Sequence, residues 1–170
     1  MRVPLCLFVP LASFLTACGP PQVTMEAVAT DVGVHVGELQ EELDTHATKS
    51  AAATTMGGIA DLDTAHRTAT LALLTKLDEM VGHMGMCMDE KKVAPDLASC
   101  KDAMAKVRTA AEGHTALVAG KAGLTEARAE EDRHHTDLGP QLTIMKTQAA
   151  SMSSKAKMFM CPADGMAGSH

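Results

Sequence analysis

The fold is decided by residues 59–88, which read IADLDTAHRTATLALLTKLDEMVGHMGMCM. Nine positions of this stretch recur at steps of three or four residues and therefore fall on one side of an α-helix. These positions are Ile59, Leu62, His66, Ala69, Leu73, Leu77, Met80, Met84 and Cys87. A long amphipathic helix is predicted, with an imidazole near one end of its buried face and a thiol near the other.

Two neighbouring segments have the same periodicity. The first begins after Thr24, a favourable N-cap residue, and ends at Gly57-Gly58, which is predicted to form the turn into residues 59–88. The second begins at Pro95-Asp96, because proline is tolerated in the first turn of a helix. Their stripes are Val28, Val32, Val36, Leu39, Leu43 and His46 in the first, and Leu97, Cys100, Met104, Val107, Ala111, His114 and Val118 in the second.

The boundary of the fourth helix is open between two positions. Gly120 and Gly123 favour a turn near residue 121 with Thr125 as N-cap, and Gly139-Pro140 must then kink or break the helix that follows. Alternatively, the third helix continues to about residue 135 and the fourth begins at Pro140. In the first case the stripe holds Leu124, Arg128, Glu131, His135, Leu138, Leu142, Met145, Ala149, Met152, Ala156 and Phe159.

Four amphipathic helices joined by short turns predict an all-α, antiparallel up-down-up-down four-helix bundle over residues 25–161. The composition agrees, since the apolar residues are largely Ala, Leu, Val and 13 Met. The absence of Trp and Tyr argues against stacking on nucleic-acid bases. A net charge of −6 argues against binding nucleic acid or anionic lipid by charge alone.

Residues 1–17 are typical of a signal peptide. Arg2 precedes an apolar run that is too short to span a membrane. The run ends in Leu15-Thr16-Ala17-Cys18, which resembles the lipobox of bacterial lipoprotein precursors.

The lipobox resemblance implies that Cys18 becomes the mature N-terminus and carries a diacylglyceryl group and usually an N-linked acyl chain such as palmitate. Several acyl chains anchor a protein stably to a membrane. Gly19 after the cysteine implies transfer to the outer membrane, with the protein facing the periplasm. Residues 18–24 then form the lipidated cysteine and its spacer, and residues 162–170 a flexible tail.

Sulfur is concentrated at the end of the bundle where the second and third helices meet. Cys87 and Cys100 are equidistant from the predicted turn, so antiparallel helices hold them level, and a disulfide between them is predicted in an oxidising compartment. The alternative is a soft-metal site for copper, since Cu(I) prefers thiolate and thioether ligands. Methionine at helical spacing is also common core filler. The candidate ligands at this end are Cys87, Cys100, Cys161, Met84, Met86, Met104 and Met160.

The opposite end of the bundle is rich in histidine. His46, His66 and His114 occupy apolar stripes, and His135 joins them if the fourth helix begins near Thr125. At a rise of 1.5 Å per residue these side chains fall within an axial band of roughly 10 Å. Such a cluster can bind Zn, Cu or Ni, although each histidine taken singly is better explained as a hydrogen-bonded core or boundary residue. The remaining histidines, His35, His83, His134 and His170, are predicted at the surface.

A second pattern competes for the histidine end. Glu42, Asp63-x-x-His66, Glu112 and Glu131-x-x-His134 superficially resemble the order of ligands in ferritin-like di-iron proteins. Asp63 replaces a glutamate, Glu112 lies off the stripe, and short turns make the second and fourth helices parallel where that fold needs them antiparallel. We interpret the match as chance spacing of common surface acids.

The sequence leaves two functions open, and neither is catalytic. It has no Cys-x-x-Cys-His motif, no glycine-rich phosphate loop and no Gly-x-Ser-x-Gly motif. In the first, a lipid-anchored envelope protein binds a metal, most plausibly copper, as a buffer or resistance factor. In the second, the bundle is a structural or interaction module with a disulfide, and its Met and His side chains are simply core.

Overall fold

The computed structural model describes residues 22–88, 90–156 and 160–162. In these ranges the elements are, in chain order, β1 Gln22–Thr24, α1 Met25–Ala52, α2 Met56–Cys87, α3 Glu90–Ala119, α4 Leu124–Ala156 and β2 Met160–Pro162. The predicted signal peptide, the lipidated Cys18 and residues 163–170 of the predicted tail lie outside the described residues.

The four helices form a four-helix bundle, as predicted. α1 packs against α2 and α4, and α3 packs against the same two helices, so α1 and α3 occupy one diagonal of the bundle and α2 and α4 the other. Short connections between successive long helices make neighbours antiparallel. Each helix therefore turns one face toward a shared interior.

The buried faces of α1 and α3 are the predicted stripes, but the face of α2 is displaced by one residue near its start. Asp63 is buried there, whereas Leu62 is partly exposed. At the following turns Thr70 and Leu74 are buried, whereas the predicted residues, Ala69 and Leu73, are partly exposed. This displacement brings a carboxylate into the interior, where an apolar side chain was expected.

The turn between α1 and α2 was predicted at the wrong residues. Gly57 and Gly58 lie inside the first turn of α2, because Thr55 caps the helix by accepting a hydrogen bond from the Gly58 N–H at 3.0 Å. The predicted N-cap of α1 is confirmed, since Thr24 accepts from the Ala27 N–H at 3.2 Å. A threonine cap thus decides the start of both helices.

Both prolines that were expected at helix boundaries lie inside helices. α3 begins at Glu90, five residues before Pro95, and α4 continues through Gly139-Pro140 to Ala156. The turn near residue 121 is confirmed, although α4 begins at Leu124 and Thr125 is not its cap. The alternative start at Pro140 is wrong, because Pro140 lies on the exposed side of α4 and one missing hydrogen bond there does not end a well-packed helix.

A pair of short strands that was not predicted joins the segment before α1 to the segment after α4. β1 and β2 are antiparallel, with Val23 opposite Cys161 and Thr24 opposite Met160. The segment before α1 and the segment after α4 are therefore held together at one end. None of the helices in the described ranges combines the length and the apolar character that a membrane span requires.

The predicted disulfide between Cys87 and Cys100 is wrong. Cys100 is a free thiol, fully buried, with its Sγ 4.0 Å from the Sδ of Met104. Cys87 is itself disulfide-bonded, so its partner is a sulfur other than that of Cys100. The prediction placed the turn near Pro95, but α2 ends at Cys87 and α3 begins at Glu90, so Cys87 and Cys100 are not equidistant from the connection.

We expect Cys100 to resist alkylation by iodoacetamide in the folded protein and to react once the protein is unfolded in urea without reductant. Complete burial blocks the reagent, and burial together with the charge of Asp78 raises the pKa of this thiol to about 11. Trypsin separates residues 77–91 from residues 93–101, so mass mapping locates the label. A Cys100→Ala variant is the control, and a cross-linked peptide joining the two fragments would contradict the assignment.

Candidate metal centre

Six ionisable side chains from all four helices meet in the interior near the α1–α2 and α3–α4 connections. Each of them is at most 6% exposed. We call them the histidine–carboxylate cluster; its members are His46 of α1, Asp63 and His66 of α2, His114 of α3, and Glu131 and His134 of α4. So many buried ionisable groups are costly to the fold unless they are paired or bind a ligand.

Helical spacing places the members of the cluster at one level. On α2 and on α4 a carboxylate precedes a histidine by three residues, and that spacing puts both side chains on the same face of a helix. His46 and His114 come from the other diagonal pair, α1 and α3. The cluster therefore has one carboxylate–histidine pair from each helix of one diagonal and one histidine from each helix of the other.

Four of these side chains converge on a common point. The Oε2 atom of Glu131 lies 2.6 Å from His46 Nε2 and 2.9 Å from His114 Nε2. The Oδ1 atom of Asp63 lies 3.3 Å and 3.6 Å from the same two nitrogens. In the described part of the chain this is the one place where three or more His, Cys, Asp or Glu side chains bring ligand atoms within 4.8 Å of one another.

The distances are suited to tetrahedral coordination. Ligand atoms about 2.1 Å from a tetrahedral ion lie about 3.4 Å apart. The separations of Asp63 Oδ1 from the two Nε2 atoms are close to this value, whereas Glu131 Oε2 lies nearer to both, at hydrogen-bond distance. Both oxygens of Asp63 are buried without a hydrogen-bond partner among the described residues. A buried carboxylate that lacks hydrogen bonds calls for an explanation, and a cation at this point supplies one.

The electrostatics of the four side chains are strongly coupled. Burial alone lowers the pKa of His46, but the adjacent carboxylates of Asp63 and Glu131 outweigh it and raise that pKa to about 9. Burial and the nearby charge of Glu131 raise the pKa of Asp63. Hydrogen bonds from His114 and His46 overcome the effect of burial and lower the pKa of Glu131. A proton on His46 thus partly occupies the position that a cation would take.

The two remaining histidines lie against the first two. The ring of His66 stacks on that of His46 at 4.2 Å, and the ring of His134 stacks on that of His114 at 3.8 Å. Burial, reinforced by the neighbouring imidazoles, lowers the pKa of both His66 and His134 to about 3. Both are therefore neutral at neutral pH, the state in which imidazole binds metals.

The sequence identified half of this cluster. His46, His66 and His114 lie together as predicted, but His135 does not join them: its Nε2 is 2.8 Å from Asp44 Oδ1 on the outer side of the bundle. His134, which was predicted at the surface, takes its place. His83 was also predicted at the surface and is buried.

The two carboxylates were missed as ligands although a signal was present. The Asp63-x-x-His66 and Glu131-x-x-His134 spacings were interpreted as chance, and that interpretation is wrong for these four residues, because all four are buried together. It holds for Glu112, which is exposed. Glu42 is partly exposed at the edge of the cluster, with its Oε1 3.3 Å from His66 Nδ1.

The sulfur-rich end does not assemble a comparable site in the described residues. Met84 and Met104 are buried core residues, and Met86 is 77% exposed. Cys100 has a raised pKa and is a protonated thiol at neutral pH. The side chains of Met160 and Cys161 lie outside the described part of the chain. Among the described residues, the thiolate ligands that a copper(I) site needs are therefore not brought together.

The fold and the cluster define a four-helix bundle with a buried centre of histidines and carboxylates. Comparisons with protein-family models, with curated proteins and with solved structures find no match to this chain. The functional conclusion therefore depends on the chemistry of the cluster alone.

We expect the chelator-treated protein to become less stable as the pH falls from 6.5 toward 3. The unfolded chain protonates His66 and His134 near 6.5, whereas the folded protein keeps them neutral down to about 3, so the unfolded state binds more protons in this window. His46 is protonated in both states there. The urea midpoint measured across the window should fall less steeply in a His66→Gln/His134→Gln variant than in the wild type. A His135→Gln control should keep the wild-type slope; equal slopes in all three proteins would contradict the expectation.

Proposed function

We propose that this chain is a metal-binding four-helix protein that holds a divalent transition-metal ion between His46, Asp63, His114 and Glu131. One observation carries the proposal: one ligand atom from each of four helices lies within 4.8 Å of the other three, in an interior closed to solvent. Two imidazoles and two carboxylates provide a charge of −2, which neutralises a divalent ion. The ion would in turn join all four helices at one level.

The competing explanation is a hydrogen-bonded network without metal, as in a purely structural or interaction module. Such a network would have to satisfy its buried polar atoms, since partly satisfied networks are costly. Both oxygens of Asp63 and one oxygen of Glu131 lack hydrogen-bond partners among the described residues. Those atoms favour a bound cation over a closed network.

The donor atoms favour a borderline divalent ion over the copper(I) ion that the sulfur pattern suggested. Imidazole nitrogen suits Zn²⁺, Cu²⁺, Fe²⁺ and Ni²⁺, and carboxylate oxygen suits harder ions as well, whereas Cu(I) is selected by thiolate and thioether. A four-coordinate set of nitrogen and oxygen ligands is typical of Zn²⁺. We therefore propose Zn²⁺ as the first ion to test, with copper entering only as Cu²⁺.

A storage or structural role suits the site better than catalysis. Catalytic zinc sites keep one coordination position open to water or substrate. Here all four ligands are at most 3% exposed. A surface groove of about 480 Å³ lies between α1 and Lys146 of α4, and none of the four ligands lines it. We propose that the protein binds its ion without turning over a substrate.

The lipobox at Leu15-Thr16-Ala17-Cys18 supports a place for this bundle in the bacterial envelope. An acylated Cys18 would tether the domain to a membrane through its N-terminus. The proposed protein is therefore a lipid-anchored metal-binding protein that faces the periplasm, with the outer membrane as its expected site.

Replacing two ligands should abolish tight binding. In competition with a chromogenic chelator, we expect an Asp63→Asn/Glu131→Gln variant to bind Zn²⁺ at least about 100-fold more weakly than the wild type, because two of four ligands and both of their negative charges are lost. His135→Gln is the matched control: it removes a histidine next to the cluster that bonds Asp44 instead, and it should bind like the wild type.

A second measurement, the absorption spectrum of bound Co²⁺, completes this test. Co²⁺ bound at the same site should give the intense visible absorption of a tetrahedral complex, and the double variant should lose it. If wild type, control and double variant all bind Zn²⁺ equally weakly, the proposal is wrong and the structural module is the better explanation.

A further inference from the structure

The geometry points to a second metal ion beside the first, held by His66 and His134 and by the oxygens of Asp63 and Glu131 that the first ion does not use. This inference depends on the proposed function, because it shares two ligands with that site. The two carboxylates would bridge a pair of ions, each giving one oxygen to each ion.

The atoms that such an ion needs are buried and unpaired. His66 Nε2, His134 Nε2, Asp63 Oδ2 and Glu131 Oε1 are all buried without a hydrogen-bond partner among the described residues. The first ion explains Asp63 Oδ1 and Glu131 Oε2, which lie close to the Nε2 atoms of His46 and His114. It leaves two nitrogens and two oxygens unexplained, and these are donors of the same types as those around the first ion.

The second histidine pair repeats the geometry of the first. The rings of His46 and His114 have centroids 6.0 Å apart and are inclined at 85°, and those of His66 and His134 have centroids 5.6 Å apart and are inclined at 90°. His66 stacks on His46 at 4.2 Å and His134 stacks on His114 at 3.8 Å, so the second histidine pair lies about one ring-stacking distance from the first. Ions in carboxylate-bridged pairs are typically about 3.5–4 Å apart, which matches this displacement.

Glu42 provides the outer contact that a metal-binding histidine requires. Its Oε1 lies 3.3 Å from His66 Nδ1, so a proton on Nδ1 donated to this carboxylate leaves the Nε2 lone pair free for a metal. The partly exposed Glu42 also adds a third negative charge beside the two bridging carboxylates. That negative charge offsets part of the excess positive charge that a second divalent ion brings into the interior.

Metal stoichiometry tests the inference on the full chain, purified in detergent, loaded with Zn²⁺, desalted and analysed by mass spectrometry of the elements. We expect two ions per chain in the wild type and in the His135→Gln control, and one ion in His66→Gln/His134→Gln. One ion in the wild type would overturn the second site and leave the proposed function intact, whereas none would overturn both. Two ions in His66→Gln/His134→Gln would also overturn the second site, because one of them would then lie elsewhere.

A second measurement needs no variant and decides the question if His66→Gln/His134→Gln does not fold. The wild type loaded with Mn²⁺ should give the electron paramagnetic resonance spectrum of an exchange-coupled pair, since two ions bridged by carboxylates interact magnetically. The six-line spectrum of isolated Mn²⁺ at full loading would overturn the inference. Circular dichroism of His66→Gln/His134→Gln shows whether its stoichiometry refers to a folded protein.

Discussion

The mutual burial of Asp63 and Glu131 is the constraint on which this structure depends. Two carboxylates in the interior of a bundle repel each other and lose their hydration, and the imidazoles of His46 and His114 approach them from α1 and α3 and compensate part of that cost. Because each helix contributes at least one member, no helix can rotate about its axis or slide along it without separating a charge from its partner. An apolar core alone tolerates such shifts, since Leu, Val and Met contacts are easily exchanged. The cluster therefore fixes the register of the four helices, and the apolar core supplies most of the driving force.

The part of the fold that follows from apolar periodicity was predictable. The stripes of α1 and α3 were identified residue by residue, from Val28 to His46 and from Leu97 to Val118, because nearly all of their positions are apolar and are buried by the hydrophobic effect. The turns were harder, since they depend on local competition. Thr55 caps the N-terminus of α2, so that the two glycines lie inside the helix and not in a turn. Tertiary packing keeps α3 and α4 helical through their prolines.

Half of the cluster was predictable, because the histidines on apolar stripes could be recognised and the buried carboxylates could not. A histidine on an apolar stripe is noticeable, so His46, His66 and His114 were found. An aspartate beside a leucine is assigned to the surface by any hydrophobic criterion, and at residues 62 and 63 that criterion selects the wrong neighbour. The imidazoles of His46 and His114, which approach Asp63 from α1 and α3, compensate part of the cost of burying it. Such partners are far away in the sequence, and their convergence exists only in three dimensions. The same holds for His134 and His135, where a shift of one residue exchanges a buried ring for one on the outer side of the bundle.

The strand pair lies at the end of the bundle that is far from the histidine–carboxylate cluster. Residues 22–24 begin only four residues after Cys18 and are held against residues 160–162, at the end of the bundle where α1 starts. His46 lies 21 residues further along α1, which is about 32 Å at 1.5 Å per residue. For a domain tethered through Cys18, that distance is several times the screening length of about 8 Å at physiological salt. The charge of lipid headgroups would not reach the cluster, so its affinity for cations would be a property of the protein and not of the membrane that carries it.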